Sequence, residues 1–344
     1  MTPMRFSADV LALDAQEEIH KLTLFIRETV HGRLRRRGAV VALSGGIDSS
    51  TCAALCVRAL GKENVLVLFL PERDSSSDSL RLGQALADRY SLPAVTESIE
   101  PMLEASGCYR RQTEAIRSVF PDYGEGWKCK IVLPSILKGD RLNLSSLTVQ
   151  TPSGDTRTER LPFSAYLQLV AATNFKQRTR TMMAYYHADR MNYAVCGTPN
   201  RLEYDQGFFV KGGDGLADFK PIAHLYKTQV YALARELGVP DEICRRHPTT
   251  DTFSLPQSQE EFYFALPYTQ MDLCLYAHNH AVPAGDVAPV VGLTLEQVLR
   301  VFKDIEIKRR TTLPLHLSSI VADPVPEVAA LTQAALQSQG NEDA

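Results

Sequence analysis

The stretch Val40-Val-Ala-Leu-Ser-Gly-Gly-Ile-Asp-Ser-Ser50 joins a short apolar run to a helical segment through a pair of glycines. The run from Val40 to Ser44 predicts a buried strand, and the pattern after it predicts a helix from about Ser49 to Leu60. Glycines let backbone N–H groups approach an anion closely, and a helix N-terminus adds a favourable partial charge. The stretch therefore predicts a loop that binds phosphate at the end of a strand.

Strand and helix patterns alternate along much of the remaining chain. The predicted strands after the first cover residues 65–70, 94–99 and 193–198, and the predicted helices include 10–31, 79–90 and 174–191. This alternation predicts an α/β fold, a doubly wound parallel sheet with helices on both faces. In such sheets, ligands bind beyond the carboxyl ends of the strands.

The charge and hydropathy of the chain exclude several classes of protein. Its 344 residues include 37 Lys and Arg and 40 Asp and Glu, a formal charge of −3, which argues against binding nucleic acid through bulk positive charge. No apolar run approaches the roughly 18 residues of a membrane span, so no membrane partner is expected. The N-terminal stretch has acidic residues where a signal peptide needs an apolar segment, which predicts a cytoplasmic protein.

The seven cysteines are scattered along the chain and include no CxxC pair. This spacing argues against a zinc site or a thioredoxin-like motif. Most of the cysteines are therefore predicted to be small buried hydrophobic residues.

Residues 125–165 interrupt the alternation of strands and helices. The run at 147–151, followed by Pro-Ser-Gly-Asp, predicts a hairpin, and we interpret the whole interruption as an inserted arm that serves as a lid or a dimer contact. The predicted domains are residues 1–272, which contain the insertion, and a C-terminal helical extension at 273–344. The tail after Pro324 is predicted to be a final short helix with a frayed end.

The glycine loop contains both anion donors and a carboxylate. Asp48 would repel phosphates, so it is predicted to hold a metal ion that the phosphates share. The loop lacks the lysine of the GxxxxGK[ST] pattern, so it is a different kind of phosphate loop. The predicted phosphate contacts are Ser44, Gly45, Gly46, Ser49 and Ser50.

The string SGGxDS resembles the pyrophosphate loop of the N-type ATP pyrophosphatases, which have the adenine nucleotide alpha hydrolase-like fold. Further segments narrow the resemblance to the NAD synthetase family, from about Val40 to Asp272 apart from the insertion. These segments are Asn174-Phe-Lys-Gln-Arg-Thr-Arg180, Gly197-Thr-Pro-Asn-Arg-Leu-Glu203, Gly207-Phe-Phe-Val-Lys-Gly-Gly-Asp214, Asp218-Phe-Lys-Pro-Ile222, Leu225-Tyr-Lys-Thr-Gln229 and His247-Pro-Thr-Thr-Asp251.

The resemblance implies an ATP-dependent amide ligase that converts deamido-NAD to NAD, with ATP and Mg²⁺ as cofactors. The acid would attack the α-phosphorus of ATP to form an acyl-adenylate with release of pyrophosphate. Ammonia would then displace AMP. Such an enzyme acts mainly by positioning its reactants and neutralising charge.

The resemblance also implies roles for residues outside the glycine loop. Glu203 shares Mg²⁺ with Asp48, Lys211 and Lys227 act on the phosphates as catalytic residues, and Asp218 is a candidate general base. The remaining ATP contacts are Leu70, Thr198 and Lys227, and the implied substrate contacts are Asn174, Arg178, Lys211, Asp214 and Asp218.

Two of these assignments have alternatives. Arg178 and Arg180 lie two apart on a predicted helix and point in different directions, so only one is expected to face the substrate, while the other packs or forms an ion pair. Asn174 is either a helix cap or a substrate contact.

The sequence also departs from the family. A Q-x-D-E segment is usual before Leu-Pro-Tyr, but here Gln257-Ser-Gln-Glu-Glu261 has glutamine in place of the aspartate and a longer gap follows it. This difference and the insertion leave open a second interpretation, a ligase of the same fold that acts on another carboxylic acid in a specialised pathway.

The resemblance implies a homodimer with substrate bound at the subunit boundary. The short stretch before Val40 has no room for the nitrilase-type domain of glutamine-dependent relatives. Free ammonia is therefore the expected nitrogen source, unless a separate glutaminase supplies it.

Overall fold

The computed structural model describes residues 6–133, 145–249, 252–264 and 266–337. Its strands are β1 (Ala39–Ala42), β2 (Val65–Phe69), β3 (Ala94–Thr96), β4 (Lys128–Val132), β5 (Ser146–Gln150), β6 (Thr156–Arg160) and β7 (Ala194–Val195). Its α-helices are α1 (Ala15–Arg27), α2 (Ile47–Leu60), α3 (Ser77–Tyr90), α4 (Glu100–Ala105), α5 (Cys108–Arg117), α6 (Phe163–Met191), α7 (Arg201–Gln206), α8 (Lys227–Leu237), α9 (Asp241–Arg245), α10 (Tyr268–Asn279), α11 (Ala284–Val291), α12 (Leu295–His316) and α13 (Pro326–Gln337).

The central sheet is parallel, with the strand order β3–β2–β1–β7. Val40 of β1 is paired with Leu66 of β2 on one side and with Val195 of β7 on the other. The chain leaves β1 toward β2 and β3 and returns as β7 on the opposite side, so the strand order reverses beside β1. The carboxyl ends of β1 and β7 therefore flank the crevice where such sheets bind ligands.

Side chains of the central strands alternate between two layers of helices, because neighbouring side chains in a strand point to opposite faces. Val41 and Val67 pack in a core with α1, α2, α3 and α8. Val40 and Leu66 pack on the other face, with α4, α5 and α6. The predicted α/β fold with helices on both faces of a parallel sheet is confirmed.

The insertion predicted at 125–165 contains a separate antiparallel sheet with the order β4–β5–β6. Strands β5 and β6 form the predicted hairpin. One face of this sheet packs against α5 and the first turns of α6, whereas every residue of β6 is exposed. Residues 134–144 of the predicted insertion lie outside the described residues.

Helix α6 begins at Phe163, well before the predicted start at Asn174. Asn174 therefore lies inside the helix, and the interpretation of this residue as a helix cap is wrong. The first turns of α6 pack on the inserted sheet and the later turns on the central sheet. Leu167, Leu169 and Val170 follow one another closely in these early turns, so the sequence shows no single apolar stripe there that would predict a helix.

Helices α10, α11 and α12 form a further core with Leu202 and Tyr226. Helix α10 runs across residue 272, so the predicted boundary between residues 1–272 and 273–344 falls inside a helix. The final short helix is observed as α13, and the last seven residues lie outside the described part of the chain. Within the described residues, no helix is both long and apolar enough to cross a membrane.

The seven cysteines are all free thiols, and all but Cys244 are buried. Burial raises the pKa of Cys108 and of Cys129 to about 11, which disfavours the reactive thiolate. The prediction that most cysteines act as small buried hydrophobic residues is confirmed.

Candidate active site

A cavity of about 450 Å³ lies at the carboxyl ends of β1, β2 and β7. The loops after these strands line one side of it, and α6 together with residues from 246 to 263 lines the other. The predicted site residues in its wall are Ser44, Gly46, Asp48, Ser49, Leu70, Asn174, Thr198, Glu203, Asp214 and Lys227. The cavity thus occupies the place that the strand order favours for a ligand.

The loop at residues 44–50, called here the phosphate loop after the role that the sequence predicts for it, is held in shape by its glycines and serines. Gly45 has φ +70°, a conformation that favours glycine, and a Cβ there would collide with the Ser79 carbonyl. Ser49 Oγ lies 3.1 Å from Ser44 Oγ and donates to the Gly46 carbonyl at 3.2 Å. Because Gly46 has no side chain to cap α2, an anion in the cavity can take the place of a cap.

Two predicted members of the loop are not in the cavity wall. Gly45 shapes the turn, and Ser50 is fully buried inside α2. Consecutive helical residues point in different directions, so the serine beside Ser49 faces the core. The structure therefore does not place the Ser50 hydroxyl where it could contact a ligand in this cavity.

The buried Lys227 forms an ion pair with the partly buried Asp48 in the cavity wall. Lys227 is 2% exposed, and its Nζ donates to Asp48 Oδ2. The other carboxylate oxygen of Asp48 accepts a hydrogen bond from Asn200 Nδ2 at 3.1 Å. These contacts fix a cation beside the phosphate loop.

Glu203 reaches the same position from α7. Asn200 caps this helix: its backbone N–H donates to Glu203 Oε2 at 3.1 Å, and its side-chain oxygen accepts from the Glu203 N–H at 3.2 Å. Asn200 thus contacts both Asp48 and Glu203, the two carboxylates that the sequence predicts as metal ligands.

The charges of Asp48, Glu203 and Lys227 depend on one another. Burial and the Asp48 carboxylate raise the pKa of Glu203 to about 7. Burial alone would lower the pKa of Lys227, but the carboxylates of Asp48 and Glu203 outweigh it and raise the pKa above its ordinary value. Lys227 is therefore a firmly protonated cation, and a further positive charge would favour ionised Glu203.

Asp272 holds the start of α8, where Lys227 is the first helical residue. Its Oδ1 accepts from the Lys227 N–H at 3.2 Å, and its Oδ2 accepts from the Thr228 N–H at 2.7 Å. Asp272 is fully buried in α10, and this burial raises its pKa to about 6. A helix of the C-terminal region thus positions the lysine of the cavity.

Replacing Asp272 by alanine should lower the free energy of unfolding by about 1–2 kcal/mol, the usual range for loss of a helix N-cap. Asp272→Asn keeps one hydrogen-bond acceptor, so its free energy of unfolding should fall by less. Urea denaturation of the two variants measures the difference, and an Asp272→Ala variant as stable as the wild-type protein would contradict this role.

Comparison with known proteins assigns the chain to a family. The family model for NAD synthase matches residues 18–119 and 143–312. The chain belongs to the NAD synthase family. It is 60% identical to an NH(3)-dependent NAD(+) synthetase of Mesorhizobium japonicum, over 92% of this chain and 100% of that protein. It is 56% identical to that of Rhizobium rhizogenes, over 93% of this chain and 96% of that protein.

Solved structures of similar proteins share the fold of this family member. The NMN synthetase of Francisella tularensis has a TM-score of 0.61 at 20% identity and covers 91% of this chain and 100% of its own. The NH3-dependent NAD synthetase of Campylobacter jejuni has a TM-score of 0.59 at 23% identity, with 90% and 100% covered. These likenesses show the fold, and the sequence matches show the family.

The two arginines of α6 have different surroundings in this NAD synthase family member. Arg180 lies in the cavity wall, where its Nε donates to the Leu70 carbonyl at 3.3 Å. Arg178 instead donates to the Lys211 carbonyl at 3.2 Å and does not line the cavity. The structure therefore favours Arg180 over the predicted Arg178 as the arginine that faces a ligand.

Two further predicted site residues lie away from the cavity. Lys211 is exposed, and its Nζ donates to the Pro314 and Leu317 carbonyls at 2.8 and 3.0 Å. Asp218 accepts hydrogen bonds from the Tyr185 hydroxyl at 3.2 Å and from the Val195 N–H at 2.7 Å. Neither side chain lies in the cavity wall, where the roles implied by the family resemblance would place it.

Arg246 is a cavity residue that sequence reasoning missed. Its guanidinium donates to Ser79 Oγ at 3.1 Å and to the Gly45 carbonyl at 3.5 Å, so it lies against the phosphate loop. It directly precedes His247-Pro-Thr-Thr, a segment that the sequence did single out, but a surface arginine after a helix gives no signal of its own.

Arg246→Met should raise the KM for ATP by about 10-fold, the effect of losing one hydrogen bond to a charged group. The matched control is Arg245→Met, because Arg245 is exposed and pairs with Asp241 at the surface. Steady-state kinetics of AMP release measure both variants. Equal KM values for Arg246→Met and Arg245→Met would contradict a role in ATP binding.

Proposed function

We propose that this chain is an ammonia-dependent NAD synthetase, a ligase that converts deamido-NAD to NAD with ATP. The carboxylate of deamido-NAD attacks the α-phosphorus of ATP, which forms an acyl-adenylate and releases pyrophosphate. Ammonia then attacks the acyl carbon and loses a proton as AMP leaves. Membership of the NAD synthase family and the names of the relatives support this reaction.

One observation of the cavity carries the proposal. The phosphate loop, the Lys227 cation and the carboxylates of Asp48 and Glu203 meet at the carboxyl ends of β1 and β7. An anion donor loop suits the triphosphate, and a fixed cation beside it suits the charge that develops on the leaving pyrophosphate.

The acidic residues fit Mg²⁺. Carboxylate oxygens are hard ligands that this ion prefers, and Asp48 and Glu203 are joined by Asn200 in one wall of the cavity. Burial and the Asp48 charge raise the pKa of Glu203, and a divalent cation would relieve the repulsion between the two carboxylates. Asp48 and Glu203 would hold the ion, which offsets the negative charge of the phosphates when it is bound.

The chain's own side chains act mainly by placing the reactants. Ser44, Ser49 and the N-terminus of α2 orient the phosphates, and Lys227 with Arg246 neutralises charge on the departing pyrophosphate. The predicted substrate contacts that remain in the wall are Asn174 and Asp214, with Arg180 in place of Arg178. The hydrogen bonds of Asp218 do not favour it as the base for ammonium.

The predicted homodimer, free ammonia as nitrogen source and a cytoplasmic location belong to the same proposal. Helix α6 presents Met182 and Tyr186 to solvent at 55% and 57% exposure, one helical turn apart. This exposed pair supports α6 as a contact for a second copy. A separate glutaminase is not required when ammonium is supplied.

Incubation of the purified protein with ATP, MgCl₂, ammonium chloride and deamido-NAD tests the proposal. We expect NAD and AMP in equal amounts by mass spectrometry, and little NAD when glutamine replaces ammonium. A panel of other carboxylic acids is run in parallel. Amide formation from another acid, with none from deamido-NAD, would overturn the proposal and favour the same-fold ligase of a different pathway.

A further inference from the structure

The edge strand of the inserted sheet is bound to a segment that crosses the cavity wall. Among the described residues, β4 is an edge strand that pairs with β5 on one side, so the backbone groups of its other edge need partners outside the sheet. On that edge the Leu255 N–H donates to the Cys129 carbonyl at 3.1 Å, and the Leu133 N–H donates to the Glu261 carbonyl at 3.2 Å. The edge is therefore covered by the segment 252–264, called here the bridging segment.

Side chains strengthen this attachment. Lys130 Nζ lies 2.6 Å from Glu261 Oε1, and Gln257 Nε2 donates to the Ile131 carbonyl. Phe253 of the bridging segment is buried in the core that the inserted sheet forms with α5 and α6. The attachment thus combines backbone hydrogen bonds, an ion pair and apolar packing.

The bridging segment also contacts one of the candidate metal ligands, Glu203. Gln259 lines the cavity, and its Nε2 donates to Glu203 Oε1 at 2.9 Å. The Gln259 N–H donates to the Pro248 carbonyl at 3.2 Å, which fixes its backbone. Tyr263 of the same segment donates to the Gln206 carbonyl on α7, at 2.7 Å. The segment therefore joins β4 to the helix that carries Glu203.

We propose that the inserted sheet positions Glu203 through the bridging segment, with Gln259 as the positioning residue that holds the carboxylate. The proposal rests on the proposed function, since it concerns the carboxylate assigned to Mg²⁺. Both carboxylate oxygens of Glu203 then have a fixed donor, Asn200 N–H on one and Gln259 Nε2 on the other. Hydrogen bonds of this kind orient a metal ligand and are important for metal affinity.

This role differs from the lid or dimer arm that the sequence suggested for the insertion. Strand β4 lies between the two blocks of the chain that match the family model, 18–119 and 143–312. Part of the insertion is thus a feature outside that match, yet it supports a residue that contacts the site. The glutamine that departs from the usual family segment is the same residue, Gln259.

The test compares four variants by their affinity for Mn²⁺ in the presence of α,β-methylene-ATP, measured by water-proton relaxation. Gln259→Leu should weaken Mn²⁺ binding by about 10-fold or more. Lys130→Met acts at a distance and should weaken it by about 2- to 5-fold, as expected for a partly exposed ion pair. Lys128→Met is the matched control on the same face of β4, and it should bind Mn²⁺ like the wild-type protein.

The double variant Lys130→Met with Gln259→Leu distinguishes the positioning of Glu203 from a general loss of stability. If Lys130 acts through Gln259, the double variant binds Mn²⁺ no more weakly than Gln259→Leu alone. Fully additive effects, or a Lys130→Met variant that matches Lys128→Met, would overturn the proposal. Thermal denaturation shows whether each variant is folded.

The outcomes also separate this proposal from the proposed function. Wild-type turnover of deamido-NAD tests the reaction, whereas the Mn²⁺ affinities test the positioning of Glu203. A wild-type protein that makes NAD while Gln259→Leu binds Mn²⁺ normally would overturn the positioning role alone. Absence of Mn²⁺ binding in the wild-type protein would overturn it as well.

Discussion

Replacing Lys227 by methionine is expected to reduce the rate of AMP formation by about 100- to 1,000-fold, the usual cost of removing one preorganised charge stabiliser. Lys227 is the cation paired with Asp48 inside the cavity, and its first helical turn is held by Asp272. Methionine keeps the length of the side chain but removes the charge. The rate of AMP release from ATP and deamido-NAD, followed in quenched time points, measures the loss of activity.

Two further variants distinguish the effect of losing the charge from the effect of losing the folded structure. Lys227→Arg retains the cation and should recover part of the activity, while Lys303→Met changes an exposed lysine and should leave the rate unchanged. Circular dichroism shows whether Lys227→Met stays folded, since Asp48 loses its buried partner. A folded Lys227→Met variant with the wild-type rate would contradict the role of this cation.

The second large effect is expected for Asp48→Asn, which should slow pyrophosphate release by about 1,000-fold. The change removes the charge of a candidate Mg²⁺ ligand and of the Lys227 partner, and metal-assisted charge stabilisation is worth several kcal/mol. The amide still has an oxygen to accept the Asn200 hydrogen bond, so the loop should keep its shape. The effect should therefore fall on turnover more than on folding.

Asp241→Asn is the matched control for this prediction, because Asp241 is an exposed carboxylate that also pairs with a cation, Arg245. Pyrophosphate release is measured for both variants over a series of Mg²⁺ concentrations. Wild-type rates of pyrophosphate release from Asp48→Asn would show that the metal assignment is wrong.

The sheet and the phosphate loop could be predicted because their signals are local. The strands β1 and β2 are continuous apolar runs, since helices cover both of their faces. The turn at Gly45 needs a conformation that favours glycine, so the sequence marks its position. The meeting of Asp48 and Glu203 was also predictable, because each follows a parallel strand whose carboxyl end lies at the same edge of the sheet.

The direction of side chains outside regular strands could not be predicted as well from the sequence. Ser50, Arg178, Lys211 and Asp218 all belong to motifs that the sequence singled out, yet the structure places none of them in the cavity wall. Each motif predicts the region of the fold in which its residues lie, whereas the direction of one side chain depends on contacts with residues distant in the chain. For Lys211 these contacts are carbonyls at the end of α12.

The sequence alone therefore determined the class of fold, the phosphate loop and the family, because these depend on hydrophobic patterns and on short segments with fixed backbone demands. Only the tertiary structure decided that Arg246 lies against that loop, that Asp272 holds the start of α8, and that the bridging segment contacts both β4 and Glu203. These contacts join residues far apart in the chain. Long-range packing of whole elements creates them, and no local pattern specifies such packing.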